Sequence, residues 1–434
     1  MSGKHRLTRR ARTLGAALAL GLVAGACSST ASTAGKQNAP SPGITARLVT
    51  VGSHQPLTGP TSPGNSEVAA ATAAFFQYVD GHGGVGGRQI AYRDENDAGN
   101  ATDALTAVRR MVDQEKVFAV VNGYGTAPHQ GVVKYLNQQQ VPDLFVGSGC
   151  TCWNAPNAYP HTFGFQPDYP VDGKVLGRYL EDHYRGHQFG YVNSSDDLGT
   201  QAVAGLDQEI PRASVVSRQA VPSGTTPGAA QIAALQAAGA AVVVVETDPA
   251  GLAALLLAAD AANFHPQWAL GSSASDPAVV GQLLTFASQG KAGASLLEGA
   301  IGVGYLPTPT DPSNPWIALF HQVHDSYEKD QPFDSYAVYG MAVAYTFTEA
   351  LHAAGANPNR PSVVAALESK GHSFTGPGLA PFGFSASNHG GYSGAQIGIV
   401  QNGVLGLAGP VYETADTGAV TTQTLHVTTP PSSF

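Results

Sequence analysis

Short motifs that could bind a cofactor or a metal occur in this chain of 434 residues, but none of them is complete. Gly81-His82-Gly83-Gly84-Val85-Gly86 has the glycine spacing of a dinucleotide-binding loop, although such a loop must follow a strand and open a helix. Here the segment follows a predicted helix and precedes a predicted strand, so we interpret it as a helix-to-strand turn. Asp94-Glu95-Asn96-Asp97-Ala98-Gly99 begins like a calcium loop, yet Leu105 stands where the bidentate Glu is required.

Motifs for catalysis are also incomplete. His82-Gly83-Gly84 matches the oxyanion loop of some esterases, but no G-x-S-x-G elbow accompanies it, and Gly271-Ser272-Ser273 lacks the closing glycine. The 14 His residues show no zinc-binding spacing, and no Walker loop is present. We therefore expect a protein that is not an enzyme and that uses no cofactor and no metal.

Three cysteines occur in the chain: Cys27, Cys150 and Cys152. In an exported protein Cys150 and Cys152 can pair, although a C-x-C bridge closes a very small, strained ring that is relatively easy to reduce. The sequence leaves open whether the two are bridged or are two free small residues.

The first residues are typical of a secretory signal. Residues 1–12 carry five cations and no acid, and the apolar stretch Leu14–Ala26 is too short to cross a bilayer. Small residues directly before Cys27 are similar to a bacterial lipobox, although Ala24 stands where Leu is usual. We predict a lipoprotein signal peptide over 1–26, lipidation of Cys27 and a flexible tether over 27–43. The alternative is an ordinary cleaved signal in which Cys27 has no role.

Charge and length narrow the class of protein further. The chain has 22 basic and 31 acidic side chains, and removal of the five leader cations leaves 17 against 31, a net charge of −14. Nucleic acid and anionic lipid are therefore disfavoured as main partners, because both need a basic surface. Roughly 390 residues follow the tether, which is enough for two lobes.

Short β-branched runs alternate with helix-period segments from Arg47 onward. Val242–Val245 is an unbroken apolar run, as expected of a strand that helices cover on both faces. Repeated strand–helix alternation predicts parallel sheets. In such sheets ligands bind beyond the carboxyl ends of the strands, so the residues that directly follow each strand are the candidates for a binding site.

Several segments resemble the leucine/isoleucine/valine-binding proteins, and the resemblance extends from Ile44 to about Tyr412. The matching segments are Gln55-Pro56-Leu57-Thr58-Gly59-Pro60, Gly83-Gly84-Val85-Gly86-Gly87-Arg88, Asp94 and Asp97, Val141-Pro142, Asp196-Asp197-Leu198-Gly199, Pro381-Phe382-Gly383-Phe384 and Gln401-Asn402-Gly403. Each segment alone is weakly specific, whereas their order and spacing together are specific.

The resemblance implies an α/β fold, the type I periplasmic binding protein, with two doubly wound Rossmann-like lobes and a ligand cleft between them. Three crossovers would join the lobes, near Phe163–Pro167, Val303–Pro307 and Phe374–Gly378. The implied organisation is 44–165 and 304–374 for the first lobe, 166–303 and 375–425 for the second lobe, and 426–434 for a tail.

The family's ligand contacts can be placed on this sequence one at a time. Thr126 corresponds to a family residue whose hydroxyl group binds the ligand carboxylate. The alternative role for Thr126 is that of a simple helix N-cap. Gly149-Cys150-Thr151 matches a loop that offers backbone groups and a hydroxyl. A family Tyr is replaced by Leu198, a second Tyr falls on Asp248, and the acid for the ligand ammonium falls on Ser273. The full candidate set is Tyr124, Thr126, Ser148, Gly149, Cys150, Thr151, Asp197, Leu198, Asp248, Ser273 and Tyr305.

These inferences predict an extracytoplasmic solute-binding protein, anchored through Cys27, that delivers a small organic acid to an ABC permease. Amino acids are the first expectation, with Asp248 in place of the missing acid. Alternatively, the ligand lacks an amino group and is an aromatic or other carboxylate. A sensor of the same fold that signals to a membrane partner is a further alternative. An exported hydrolase would need a nucleophile–base pair, which we do not find in the sequence.

Overall fold

A computed structural model of the protein describes residues 41–59, 61–222 and 224–433. The predicted signal peptide, Cys27 and most of the predicted tether lie outside the described residues. Among the residues described, no helix combines the length and apolar character needed to cross a bilayer.

The first sheet contains five parallel strands in the order β2-β1-β3-β4-β5. The strands β3 and β4 are buried at every position, because helices cover both faces of the sheet. The strands are β1 (Leu48–Gln55), β2 (Gln89–Asn96), β3 (Ala119–Val121), β4 (Asp143–Val146) and β5 (Thr162–Gly164). The helices between them are α1 (Asn65–Gly81), α2 (Ala101–Arg109, continued by a π-helical turn), α3 (Thr126–Gln130) and α4 (Val133–Gln138).

The second sheet has eight strands in the order β13-β12-β11-β10-β9-β8-β6-β7. Five of them are parallel: β6 (Phe189–Ser194), β7 (Val215–Val221), β8 (Val242–Glu246), β9 (Gln267–Leu270) and β10 (Ile301–Gly304). The associated helices are α5 (Tyr169–His183), α6 (Asp197–Glu209), α7 (Ala229–Ala238), α8 (Pro249–Ala261) and α9 (Pro277–Ala287).

The last three strands of the second sheet are antiparallel, which differs from the parallel sheets expected. They are β11 (Gly394–Gln401), β12 (Val404–Glu413) and β13 (Thr421–Gln423). Only Asn402 and Gly403 join β11 to β12, with φ of 53° and 75°. Two consecutive residues with positive φ form the tight turn of a hairpin, which forces an antiparallel return.

Three late helices return to the first sheet: α10 (Pro315–Tyr327), α11 (Ser335–Ala353) and α12 (Arg360–Lys370). Trp316, Phe320 and Phe347 share one apolar core with Phe75 of α1 and Phe118. Two separate chain segments therefore build the first lobe. The chain also returns there near its end, where the Thr428 hydroxyl accepts a hydrogen bond from Trp316 Nε1 at 2.8 Å.

The segment that follows the third predicted crossover contacts both cores. Phe382, Phe384 and Tyr392 all belong to the first core, and the rings of Phe382 and Tyr392 stack with centroids 4.0 Å apart. Leu379 and Ala380, just before them, pack against Val411 of β12, so this part of the chain lies against both lobes. The lobe bounds, including the third crossover near Phe374–Gly378, stay a prediction.

The glycine-rich segment after α1 is the helix-to-strand turn that the sequence predicted. The helix ends at Gly81, and β2 begins at Gln89. Gly84 has φ 69°, and a Cβ there would lie 2.1 Å from the carbonyl oxygen of Arg88. Glycine is therefore required by the turn itself, without reference to a nucleotide.

Candidate ligand-binding cleft

A cavity of about 700 Å³ lies between the two sheets, at the carboxyl ends of their parallel strands. The first lobe contributes Thr126 and the aromatic residues of α11, Tyr336 and Tyr339. The second lobe contributes Asp248, which follows β8, and Ser273, which follows β9. The volume falls within the usual range for small-molecule sites.

Seven of the eleven predicted contact residues line this cavity, and four do not. The seven are Tyr124, Thr126, Asp197, Leu198, Asp248, Ser273 and Tyr305. The four are consecutive, Ser148 to Thr151, and they follow Gly147, which does line the cavity. They pack between the two lobes, where Thr151 N donates a hydrogen bond to Gln201 Oε1 of α6 at 3.0 Å. Ser148 is 2% exposed and Cys150 is fully buried. These four residues support the wall of the cleft and do not form its surface.

Three hydroxyl groups converge on the first-lobe side of the cleft. Thr126 Oγ1 lies 2.6 Å from Ser148 Oγ and 3.2 Å from the Tyr169 hydroxyl. No side chain caps α3, which begins at Thr126 after Gly125, so the alternative role of Thr126 as a simple N-cap is not observed. Hydroxyl groups at an uncapped helix start suit a carboxylate. Tyr169 also lines the cleft, and no motif in the sequence identified it as a binding residue.

Carboxylates dominate the second-lobe side. Asp248 Oδ1 accepts a hydrogen bond from Gly251 N at 2.7 Å and so caps α8. Asp196 and Asp276 cap α6 and α9 in the same way. These helix N-termini are therefore already occupied by acids of the chain itself, and they offer little to a ligand anion. Among the described residues that line the cavity there are five Asp and no Lys, Arg or His.

Two more carboxylates lie buried behind the Gly271–Ser273 loop, and no motif in the sequence pointed to them. Asp172 Oδ2 accepts a hydrogen bond from Ser272 N at 3.0 Å. Glu246, 3% exposed, fills the space beside Gly271, where a Cβ would lie 2.1 Å from its Oε2. Burial raises the pKa of Asp172 to about 6. Burial, and then the charge of Asp172, raises the pKa of Glu246 well above its usual value.

A fully buried chain of four polar side chains supports the loop that carries Tyr124 and Thr126. Asp97 Oδ2 lies 2.7 Å from His54 Nδ1, His54 Nε2 lies 2.9 Å from His129 Nδ1, and His129 Nε2 lies 2.8 Å from Asp143 Oδ2. All four side chains have no solvent exposure. The chain connects the ends of β1 and β2, helix α3 and the start of β4, so it holds together the elements beneath the loop.

Each of the three contacts in this chain needs one hydrogen, and the two rings and two carboxyl groups share these hydrogens. Burial lowers the pKa of His54, and the hydrogen bond with Asp97 opposes this effect.

Cys150 and Cys152 form a disulfide in the structure. Beside it, Gln130 Nε2 of α3 donates a hydrogen bond to Asp197 Oδ2 of α6 at 2.7 Å, which joins the two lobes directly. In the described part of the chain, the two sulfurs and Asp197 are the only three potential metal ligands that lie within 4.8 Å of one another. Since both sulfurs are bonded, they offer no thiolate to a metal ion.

Comparison with known proteins agrees with this architecture. Residues 48–403 match the family model described as periplasmic binding protein. No curated protein sequence matches the chain.

Solved structures share the fold at low sequence identity. One is a branched chain amino acid ABC transporter from Thermus thermophilus with bound valine. It is 18% identical in sequence, has a TM-score of 0.73, and the match covers 86% of this chain and 98% of that chain. A second is a fatty acid ABC transporter substrate-binding protein from Thermomonospora curvata, with 20% identity, TM-score 0.72 and coverage of 86% and 94%. A third is a possible leucine/isoleucine/valine-binding protein from Rhodopirellula baltica, with 18% identity, TM-score 0.71 and coverage of 84% and 97%.

The buried chain under the loop generates a prediction about stability. Asp97→Ala leaves His54 without its carboxylate, and we expect a loss of about 3–5 kcal/mol in the free energy of unfolding, measured with urea. The control Asp94→Ala removes an exposed acid three residues away and should change this free energy by less than about 0.5 kcal/mol. Equal stability of the two variants would show that the chain does not hold the loop.

Proposed function

The chain belongs to the periplasmic binding protein family, and we propose that it is an extracytoplasmic receptor that captures an amino-acid-like zwitterion for an ABC importer. The observation that carries this proposal is the opposite chemistry of the two walls of the cleft. Hydroxyl groups around Thr126 form one wall, whereas the other wall carries Asp197 and Asp248. A ligand with a carboxylate at one end and an ammonium at the other fits both walls.

Closure of the two lobes would bury such a ligand between them. The carboxylate would accept hydrogen bonds from Thr126 and Tyr169, and the ammonium would face Asp248. Leu198 and Tyr305 would cover the apolar part of the ligand, since both line the same cavity. The closed pair of lobes would then present one composite surface to the permease. This is a role in binding and not in catalysis.

A ligand without an amino group is the second candidate. Val338, Leu405 and Leu407 give the cavity an apolar region, and one structural neighbour is named as a fatty acid receptor. The five Asp side chains on the cavity wall argue against a ligand whose only charge is negative. A sensor that signals to a membrane partner would use the same cleft, and only the membrane partner would differ.

A ligand screen tests the proposal directly. We expect α-amino acids to raise the thermal unfolding temperature, and their deaminated analogues and short fatty acids to have little effect. Ligand at 100 times its Kd should add about 2.7 kcal/mol to stability. Stabilisation by fatty acids alone would favour the second candidate, and no stabilisation by any of these compounds would contradict the proposed ligand class.

Two substitutions separate the ends of the ligand. Thr126→Ala removes a donor to the carboxylate, whereas Asp248→Asn removes the negative charge but keeps the cap of α8. Each should weaken amino-acid binding by about 10- to 150-fold in calorimetry, because a hydrogen bond to a charged group is worth about 1.5–3 kcal/mol. Asp260→Asn, on the exposed end of the same helix, should leave the affinity unchanged. Unchanged affinity in Thr126→Ala would mean that the carboxylate binds elsewhere.

Lipid anchoring through Cys27 is part of the proposal. Cys27→Ala should release the protein from the membrane fraction, while the ligand affinity of the released protein stays at the wild-type value, because the predicted anchor precedes the folded lobes. The measurement is immunoblotting of membrane and released fractions, followed by calorimetry. Retention equal to wild type would show that Cys27 is not the anchor.

A further inference from the structure

One carboxylate connects the two lobes at the edge of the cleft. Asp276 Oδ1 accepts hydrogen bonds from Ala278 N at 2.7 Å and Val279 N at 3.1 Å, which caps α9 of the second lobe. Its other oxygen, Oδ2, accepts from Ser335 N at 3.2 Å and from the Ser335 hydroxyl, at the start of α11 in the first lobe. Asp276 thus joins the N-termini of two helices from different lobes, which places it to hold the cleft closed.

Three more acids of the first lobe lie behind this contact. Asp334 is 4% exposed and Glu328 is 7% exposed, while Glu67 is half-buried near the start of α1. Buried oxygens without a hydrogen-bond partner occur on all three: Glu67 Oε2, Asp334 Oδ2 and both carboxylate oxygens of Glu328. Four ionised carboxylates in such a place would repel one another strongly.

The ionisable groups around Glu67 add to this negative charge. The ionisable groups that act on Glu67 are Asp334 on α11, Asp276 on α9 and Glu328 at the end of α10, and all of them are acidic. His324 on α10 acts on Glu328, and its Nε2 lies 2.8 Å from the Gln331 carbonyl oxygen. Tyr336, the other ionisable group near Asp334, is neutral because burial raises its pKa well above the usual value.

We propose that closing the cleft takes up one proton, which Glu67 holds against Asp334, so that ligand affinity increases as the pH falls. Closing brings Asp276 of the second lobe against the three acids of the first lobe, and a proton relieves the repulsion that this contact creates. The proposal rests on closure of the lobes around a ligand, as in the proposed function.

The directions of the pKa shifts agree with this geometry. Burial raises the pKa of Glu67 to about 8, with Asp334 and then Asp276 adding to the effect. Burial raises the pKa of Glu328 to about 7. When the cleft opens, Asp276 moves away from Glu67, so the pKa of Glu67 falls by the part that Asp276 contributes.

The sign of the pH dependence follows from this difference. A group whose pKa is higher in the closed state stabilises that state when it is protonated. This stabilisation is complete when the pH is below the pKa of the group in the open state. The advantage is lost as the pH rises, by at most about tenfold per pH unit for one proton, until the pH passes the closed-state pKa near 8. Affinity should therefore decrease as the pH rises toward about 8 and become constant above that value.

Calorimetry with the best amino acid from the screen tests the proposal. Titrations at pH 7 in two buffers of different ionisation enthalpy should show net proton uptake, up to about one proton per ligand bound. Glu67→Gln should bind without this uptake and should bind more tightly than wild type at pH 8.5, because the amide mimics the protonated carboxyl group. Glu115→Gln, which changes an exposed acid of the same lobe, should retain the wild-type proton uptake.

The other outcomes are also decisive. Equal pH dependence in wild type and Glu67→Gln would overturn the proposal, as would a requirement for Ca²⁺ that EDTA abolishes, since a metal ion would then replace the proton. If no compound binds, the proposed ligand class is contradicted. Small-angle scattering of the free protein then tests the proton-linked closure by itself. The wild-type protein should be more compact at pH 6 than at pH 8.5, and Glu67→Gln should have the same dimensions at both pH values. Dimensions of the wild-type protein that do not depend on pH would refute the proton-linked closure.

Discussion

The direction of the parallel strands is the constraint on which the site depends. In each sheet the parallel strands end at one edge, and the residues that follow those ends face the gap between the lobes. Thr126, Asp248 and Ser273 come from distant parts of the chain, yet they reach one cavity because each follows a strand that ends there. Helices bring their N-termini to the same cavity, which explains why four of its five Asp residues, all except Asp197, are helix caps.

Buried polar groups then give each wall of the cleft its shape. On the first lobe, the chain from Asp97 through His54 and His129 to Asp143 lies under the loop of Thr126, with each carboxylate paired to an imidazole. On the second lobe, Glu246 and Asp172 lie under the Gly271–Ser273 loop without a cationic partner among the groups that act on them. The four side chains of the first arrangement hydrogen-bond to one another and make that wall rigid. The two acids of the second arrangement have raised pKa values, which reduce the negative charge buried there.

The fold and part of the site could be predicted from the sequence because both follow from local patterns. Apolar runs such as Val242–Val245 predicted strands, and the glycines of residues 81–87 predicted a turn. The resemblance to known family segments supplied Thr126 and Asp248. The stacking of Phe382 on Tyr392 could not be predicted, because it is a contact between residues that no local pattern connects. The position of Ser148–Thr151 relative to the cleft could not be predicted from local pattern either, since it depends on packing between the two lobes.

The sequence by itself determined the alternation of strands and helices and which loops follow the strands, since both depend on neighbours within a few residues, and it determined the family through the order and spacing of short segments along the chain. Only the tertiary structure decided the pairing of His54 with His129, the hydrogen bonds of Thr126 with Tyr169, and the contact of Asp276 with Ser335. These partners are between 43 and 75 residues apart. Hydrogen bonds and charges act over a few ångströms, so their effect depends on which distant segments the packed sheets bring together.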